Sequence, residues 1–474
     1  MKKISIKCVS ILIIIVMGAS LFGCGGNGQR GGENDFARYF NDRSLFYGQT
    51  LTVANFLLMD PTTPTTRLNV FAQVYMAQNP GVTIEIVNPI GLAEFGAVEG
   101  TERYREYMSL RLMAGTAPTL FEATGFDWRD MRVNQHFADW LPIMQADPRF
   151  NEDDFQMEVV NVLSENAQGR LVIYPAMYQM RILLANTGIP GLAEAVSQMD
   201  TLSSTDLIRL NNEFNADGEF HISASFNAPS VTMMNLAEFL DMDNLVSDFN
   251  NPRFIEMISQ ANDLSCPDVI RYRAFFPAGG NFMPHHEEDA FRRFMFKEIS
   301  LSNNPFFFGQ HQGMFASPRP LADYHGRALI DPHLPFAISA TASPIQQALA
   351  WDFIQFMQTP HPMFMLVTAP SLFRPILWDY LETQAAALLF NRPRVNVDSD
   401  LLRYVVSPAY TVISSFADLP LAFTTSDLVA FSNPGIIDTI IVDALRDFED
   451  GLITAHAAAE LIQNRITIVL MEMD

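Results

Sequence analysis

Leu51-Thr52-Val53-Ala54 and Val82-Thr83-Ile84-Glu85-Ile86-Val87 enclose a stretch in which Leu68, Phe71, Ala72, Tyr75 and Met76 recur at helical spacing. The first segment reads as a strand, and the last alternates apolar with polar side chains as a half-buried strand does. Asn79-Pro80-Gly81 stops the helix between them. Strand, helix, strand in this order predicts a parallel pair in an α/β sheet.

Working outward, a further helix is expected over residues 104–113, and Ala117-Pro118 leads into the short apolar piece Thr119-Leu120-Phe121. Ser343-Pro344-Ile345-Gln346 has an N-cap serine, proline at the first helical position and glutamine at the third. It opens a helix carrying Leu349, Trp351, Phe353, Ile354 and Met357. Near the C-terminus, Ile436, Ile437, Ile440, Ile441, Ala444, Leu445 and Phe448 form a helical stripe closed by Gly451, and a second helix is expected over about 455–470. No internal repeat is visible.

The N-terminus carries Lys2, Lys3 and Lys7, then an apolar run over residues 9–19 that is too short for a membrane-spanning helix. It leads into Leu21-Phe22-Gly23-Cys24, which resembles the lipobox of bacterial lipoproteins. The resemblance implies a signal peptide over 1–23 and a diacylglyceryl group on Cys24. Gly25-Gly26-Asn27-Gly28-Gln29-Arg30-Gly31-Gly32 follows as a flexible linker, so 24–48 reads as a tether. Cys8 would leave with the signal and Cys24 is committed to lipid, so Cys266 stands alone as a buried structural cysteine with no internal disulfide.

Of 474 residues, 49% are hydrophobic, and the formal net charge is −23. Removing the signal takes three lysines and no acid, leaving 53 acidic side chains against 27 basic ones, a net of −26. A body so acidic is repelled by phosphate backbones, which argues against a nucleic-acid partner. Outside the signal the only lysine is Lys297. The length suits two domain cores rather than one.

Five stretches, in this order, resemble the family 1 extracellular solute-binding proteins, the group that includes the maltose-binding proteins. They are Gln78-Asn79-Pro80-Gly81-Val82-Thr83-Ile84; Ala114-Gly115-Thr116-Ala117-Pro118-Thr119-Leu120, with Thr119 at the family's usual aspartate; and Gly169-Arg170-Leu171-Val172-Ile173-Tyr174-Pro175 with Leu184-Ala185-Asn186. Ala350-Trp351-Asp352-Phe353-Ile354-Gln355-Phe356 and the ending Gly451-Leu452-Ile453-Thr454-Ala455-His456-Ala457-Ala458-Ala459-Glu460-Leu461-Ile462-Gln463-Asn464-Arg465 complete the set. The resemblance implies a two-lobe, periplasmic-binding-protein-like α/β fold of type II, with the lobes joined by crossing hinge strands. One crossover falls at about 169–175 and the return at about 334–340. The first lobe then takes 49–168 plus 334–360, and the second 169–333 plus 361–474.

Catalytic signatures are missing: the chain has no Gly-x-Ser-x-Gly elbow, His-Glu-x-x-His, Cys-x-x-Cys or P-loop. His285-His286-Glu287-Glu288-Asp289 reads as a solvated polar turn, because adjacent histidines diverge on a strand or a helix and seldom share one ion. No metal and no cofactor is expected. A sugar cleft needs aromatic faces for C–H patches and planar polar groups for hydroxyls. Asn303-Asn304-Pro305-Phe306-Phe307-Phe308-Gly309 offers both, and its likeness to the family's ring-presenting loop makes Asn304 and Phe306 candidates. The resemblance adds Gln179, four residues after the crossover proline, with Tyr178 beside it; Glu122, Thr124, Asp127 and Trp128 in the first-lobe loop; and Asn227 and Ser230 in the second. Asn55 and Asp60 follow the first strand, where open α/β sheets bind ligands. Phe373 and Arg374 complete the candidates.

The expected function is non-catalytic: a monomer lipid-anchored at Cys24 on the extracellular face of a bacterial cytoplasmic membrane. It would close on a carbohydrate, expected to be an oligosaccharide, and present it to the permease subunits of an ABC importer. The alternatives are the same fold binding a peptide, polyamine or metal chelate, and a surface glycoside hydrolase, which needs only two acids placed by the fold.

Overall fold

The computed structural model describes residues 33–54, 67–87, 97–126, 128–165, 167–242, 244–266, 292–300, 314–358, 423–425 and 436–473. The sheet begins as the sequence predicts: β1 (Thr50–Ala54) pairs in parallel with β2 (Thr83–Val87), with Leu51 opposite Ile84, and on its other side with β3 (Leu120–Glu122). β2 is the edge of this sheet and buries Ile84 while Thr83 and Glu85 face solvent. β1, covered on both sides, buries Leu51, Val53 and Ala54 completely.

The longest strands carry the architecture. β4 (Tyr174–Asn186) runs antiparallel to the later strand β10 (Ala328–Ile338), from Tyr174 opposite Phe336 to Gln179 opposite Asp331. Beyond the short strands β5 (Leu202–Ser203), β6 (Leu240–Asp241) and β7 (Val246–Ser247), β4 pairs with β8 (Phe296–Ser300) and β9 (Phe315–Ala322). The sheet order is β2-β1-β3-β10-β4-β9-β5, with β8 added on β4 and β11 (Phe423–Thr425) on β10.

Two separate hydrophobic cores lie along this sheet. The first collects the strands and helices up to Tyr178 and resumes at Ile330, Phe336 and the residues through Met357; the second runs from Leu183 to Leu329 and takes in Ile437 to Leu470. β4 and β10 therefore each contribute side chains to both.

The helices used below are α1 (Glu33–Asn41), α2 (Arg67–Gln78), α3 (Ala97–Met113), α4 (Ala228–Met234), α5 (Pro344–Met357), α6 (Ile436–Glu449) and α7 (Ala455–Met473). α2 buries Leu68, Phe71, Ala72 and Tyr75, and stops where the Asn79 amide donates to the Tyr75 carbonyl at 2.9 Å. α3 starts seven residues before the expected 104, because Gly100 and the glutamates Glu99 and Glu102 break the apolar stripe in its opening turns. At the start of α5 the Gln346 side chain accepts from the Ser343 N–H at 3.2 Å and hydroxyl at 3.0 Å. α5 drives Trp351 into a cluster with Trp140 and Tyr174, ring centroids 6.4 and 5.7 Å away.

Asp352, one residue on, is a buried carboxylate held by three donors. Arg43 reaches it at 2.8 and 2.6 Å, Arg149 at 2.7 Å, and the Tyr75 hydroxyl at 2.5 Å. Burial first, then the Asp352 charge and hydrogen bond, push the Tyr75 phenol far above its ordinary range. In the second core α6 and α7 pack Ile441 and Leu445 with Ala459, Ile462 and Ile466. Gly451 makes the turn between them at φ +71°, as its position in the sequence predicts. Cys266 is buried. Among the described residues no helix is long and apolar enough to cross a membrane.

Candidate functional site

The C-terminal ends of β1, β2 and β3 point toward the seam where β4 and β10 pass from one core to the other. Glu122 ends β3 fully buried, opposite Phe336 of β10. Its carboxylate accepts from the Thr124 hydroxyl at 2.7 Å, and its carbonyl accepts from the Tyr104 hydroxyl at 2.8 Å. Burial, followed by the Glu122 charge, holds the Tyr104 phenol well above its ordinary range. Gly125, at φ +85°, turns the chain here, and the Ala123 N–H donates to the Pro335 carbonyl at 2.6 Å, fastening the loop to β10. Trp128 follows, half-buried against the first core.

On β4, Tyr178 is buried in the first core opposite Pro332, and Gln179 stands opposite Asp331. On the second-core side, Asn227 is the N-cap of α4, its side-chain oxygen accepting from the Ser230 N–H at 2.9 Å. That bond explains the asparagine at 227: it starts the helix that carries Val231 and Met233 into the second core. The Glu449 carboxylate accepts from the Ala228 N–H at 3.1 Å, joining this turn to α6.

The structure brings Glu122, Thr124 and Trp128 together on one loop, Tyr178 and Gln179 on the crossing strand, and Asn227 with Ser230 on one helix turn. Cys24, Asn55, Asp60, Asp127, Asn304, Phe306, Phe373 and Arg374, with the histidine pair at 285 and 286, lie outside the described residues.

Between these groups lies a cluster that sequence reasoning missed. Arg181, two residues past Gln179, donates to Glu298 of β8 at 2.8 Å and pairs with Asp331 of β10 at 3.5 Å. The Ser225 hydroxyl closes on the other oxygen of Glu298. Burial alone would lower the Arg181 guanidinium, but the Glu298 and Asp331 carboxylates outweigh it and hold it above its ordinary range. With one cation and two carboxylates, the cluster carries a formal charge of −1 and ties three strands and the 223–227 loop at the seam. The signal in the sequence was a lone arginine between Met180 and Ile182.

Among the described residues no group of three or more histidine, cysteine, aspartate or glutamate side chains is placed to hold a metal ion.

The fold matches that of periplasmic solute-binding protein structures of the MalE type. Solved structures with this fold include the sugar-binding protein MalE from Xanthomonas citri, at TM-score 0.56 and 11% identity, covering 90% of this chain and 98% of its own. A periplasmic oligogalacturonide-binding protein from Yersinia enterocolitica matches at 0.55 and 13%, covering 90% and 100%. A family 1 extracellular solute-binding protein from Alicyclobacillus acidocaldarius matches at 0.52 and 12%, covering 90% and 99%. These three are binding proteins by name. No protein-family model matches the chain, and no curated protein does.

Proposed function

We propose that this protein is the extracellular receptor of an ABC importer, that it closes its two lobes on a carbohydrate, and that a lipid on Cys24 holds it at the outer face of the cytoplasmic membrane. The observation that carries the reading is the pair of crossing strands. β4 and β10 each place side chains in both cores, so a change in the angle between the cores is absorbed in these two strands. A ligand touching both lobes makes all its contacts only in the closed form, so its binding energy selects that form. The closed shape is then the signal the permease reads.

The seam supplies the Thr124 hydroxyl, the Glu298 carboxylate and the Arg181 guanidinium, which suit a polyhydroxylated guest. Within this reading Glu122, Thr124, Trp128, Tyr178, Gln179, Asn227 and Ser230 are the described contact candidates, and Cys24 is the lipid site. Thermal unfolding with a panel of neutral and charged oligosaccharides tests it. A ligand at 100 times its Kd raises stability by about 2.7 kcal/mol, and X-ray scattering should show a smaller radius of gyration. A broad panel producing neither change refutes the carbohydrate assignment. Release of smaller glycans during prolonged incubation would move the protein to the hydrolases.

A further inference from the structure

A cavity of about 390 Å³ opens on the first lobe, away from the seam. Its walls include Arg43, seven residues before β1, and Asn79, four residues before β2, so it lies by the N-terminal ends of the strands whose C-terminal ends face the cleft. Its size falls near the lower end of small-ligand pockets.

Three features give this cavity a chemical preference. First, Phe356 supplies aromatic surface and is braced edge-on by Tyr75 at 5.2 Å. Second, planar donors and acceptors converge on it: the amides of Gln78, Gln355 and Gln358, and the guanidiniums of Arg43 and Arg149, which are 41% and 45% exposed. Gln358 is fixed in the wall: it is 5% exposed and its oxygen accepts from the Tyr174 hydroxyl at 2.8 Å. Third, the charge is already settled. Asp147 and Asp352 neutralise Arg149 and Arg43, and Asp154 on the rim leaves the site at −1, which disfavours anions. An aromatic face, paired planar polar groups and no spare positive charge fit a saturated ring bearing hydroxyls.

We infer that this cavity is a second binding site, separate from the cleft, for a single neutral sugar unit. The site is independent of whether the cleft itself takes a carbohydrate.

The test uses the whole processed chain and saturation-transfer NMR with glucose, N-acetylglucosamine, maltose and glucuronate, alongside X-ray scattering. Gln355→Trp and Gln78→Trp fill the cavity from its accessible side without removing a core side chain, and two variants guard against one misfolding. At least one neutral sugar should bind without a change in radius of gyration, and its Kd should weaken about tenfold or more, roughly 1.4 kcal/mol, in both variants. Wild-type affinity in the two folded variants overturns the inference, as does glucuronate binding more tightly than every neutral sugar, or no binding by any of the four. A sugar that shrinks the molecule and ignores both tryptophans supports the cleft and overturns the cavity. One that leaves the radius unchanged and is lost in both supports the cavity, even if the cleft reading fails.

Discussion

Replacing Asp352 separates two things a buried carboxylate does, and the structure assigns a size to each. Its two guanidinium partners are 41% and 45% exposed, so water screens them and each pair contributes only about 0.2–1 kcal/mol. The third partner is different: the Tyr75 hydroxyl is buried, and stripping it of its acceptor costs about 1–3 kcal/mol. Asp352→Asn removes the charge but leaves an oxygen for Tyr75, so it should cost about 1 kcal/mol. Asp352→Ala removes both and should cost about 3 kcal/mol. Urea unfolding followed by tryptophan fluorescence reads this directly, because Trp351 and Trp140 sit in the same core, 6.4 Å apart. On a Tyr75→Phe background the gap between the two variants should shrink to within about 0.5 kcal/mol, since no hydroxyl is left to orphan. If asparagine and alanine destabilise equally with Tyr75 present, the buried hydroxyl is not what Asp352 serves and the reasoning fails.

Removing the cation of the seam with Arg181→Gln leaves Glu298 and Asp331 facing each other unscreened, at a cost of about 3–5 kcal/mol near neutral pH. Denaturant midpoints of the variant and wild type at pH 7 check this loss. His221 carries a pH dependence. Burial first, then the Arg293 charge, lowers its imidazole below the ordinary range. The fold thus favours the neutral ring, and its contribution is complete above that range and lost as pH falls through the depressed value. Wild type should therefore lose ground to His221→Gln between about pH 7 and 5, and a constant difference would count against the burial. Gly451→Ala places a side chain on a backbone at φ +71°, where open space removes any clash but not the left-handed penalty. Thermal melts should report a loss of about 1–2 kcal/mol.

What the sequence showed clearly was whatever its local pattern determines. The strand at 51–54, the helix carrying Tyr75, the serine-proline start of α5 and the Gly451 turn all follow from spacing and backbone chemistry, and all are present. The start of α3 was missed because its first turns have no stripe to read. At the site the limits were of another kind. Glu122 and Thr124 entered as candidates through the resemblance to the family's first-lobe loop, which gave no sign of the 2.7 Å bond between them. Arg181, Glu298, Asp331 and Ser225 come from four distant stretches and meet only through strand register, which no local window contains. Asp352 looked like one polar position in an apolar helix, and its role appears only when Arg43, Tyr75 and Arg149 converge on it.

The way the chain is shared between the cores bears on how it is made. By the time Met357 has emerged from the ribosome, every described residue of the first core's buried cluster exists, from Tyr39 onward. The second core, begun at Leu183, still lacks Ile437 to Leu470, the faces of two helices that fill one side of it. Domains generally fold as units while the chain is being synthesised. One half of the molecule can thus mature well before termination while the other waits with an apolar flank uncovered. That flank is where a nascent or truncated chain is most exposed to chaperones and proteases.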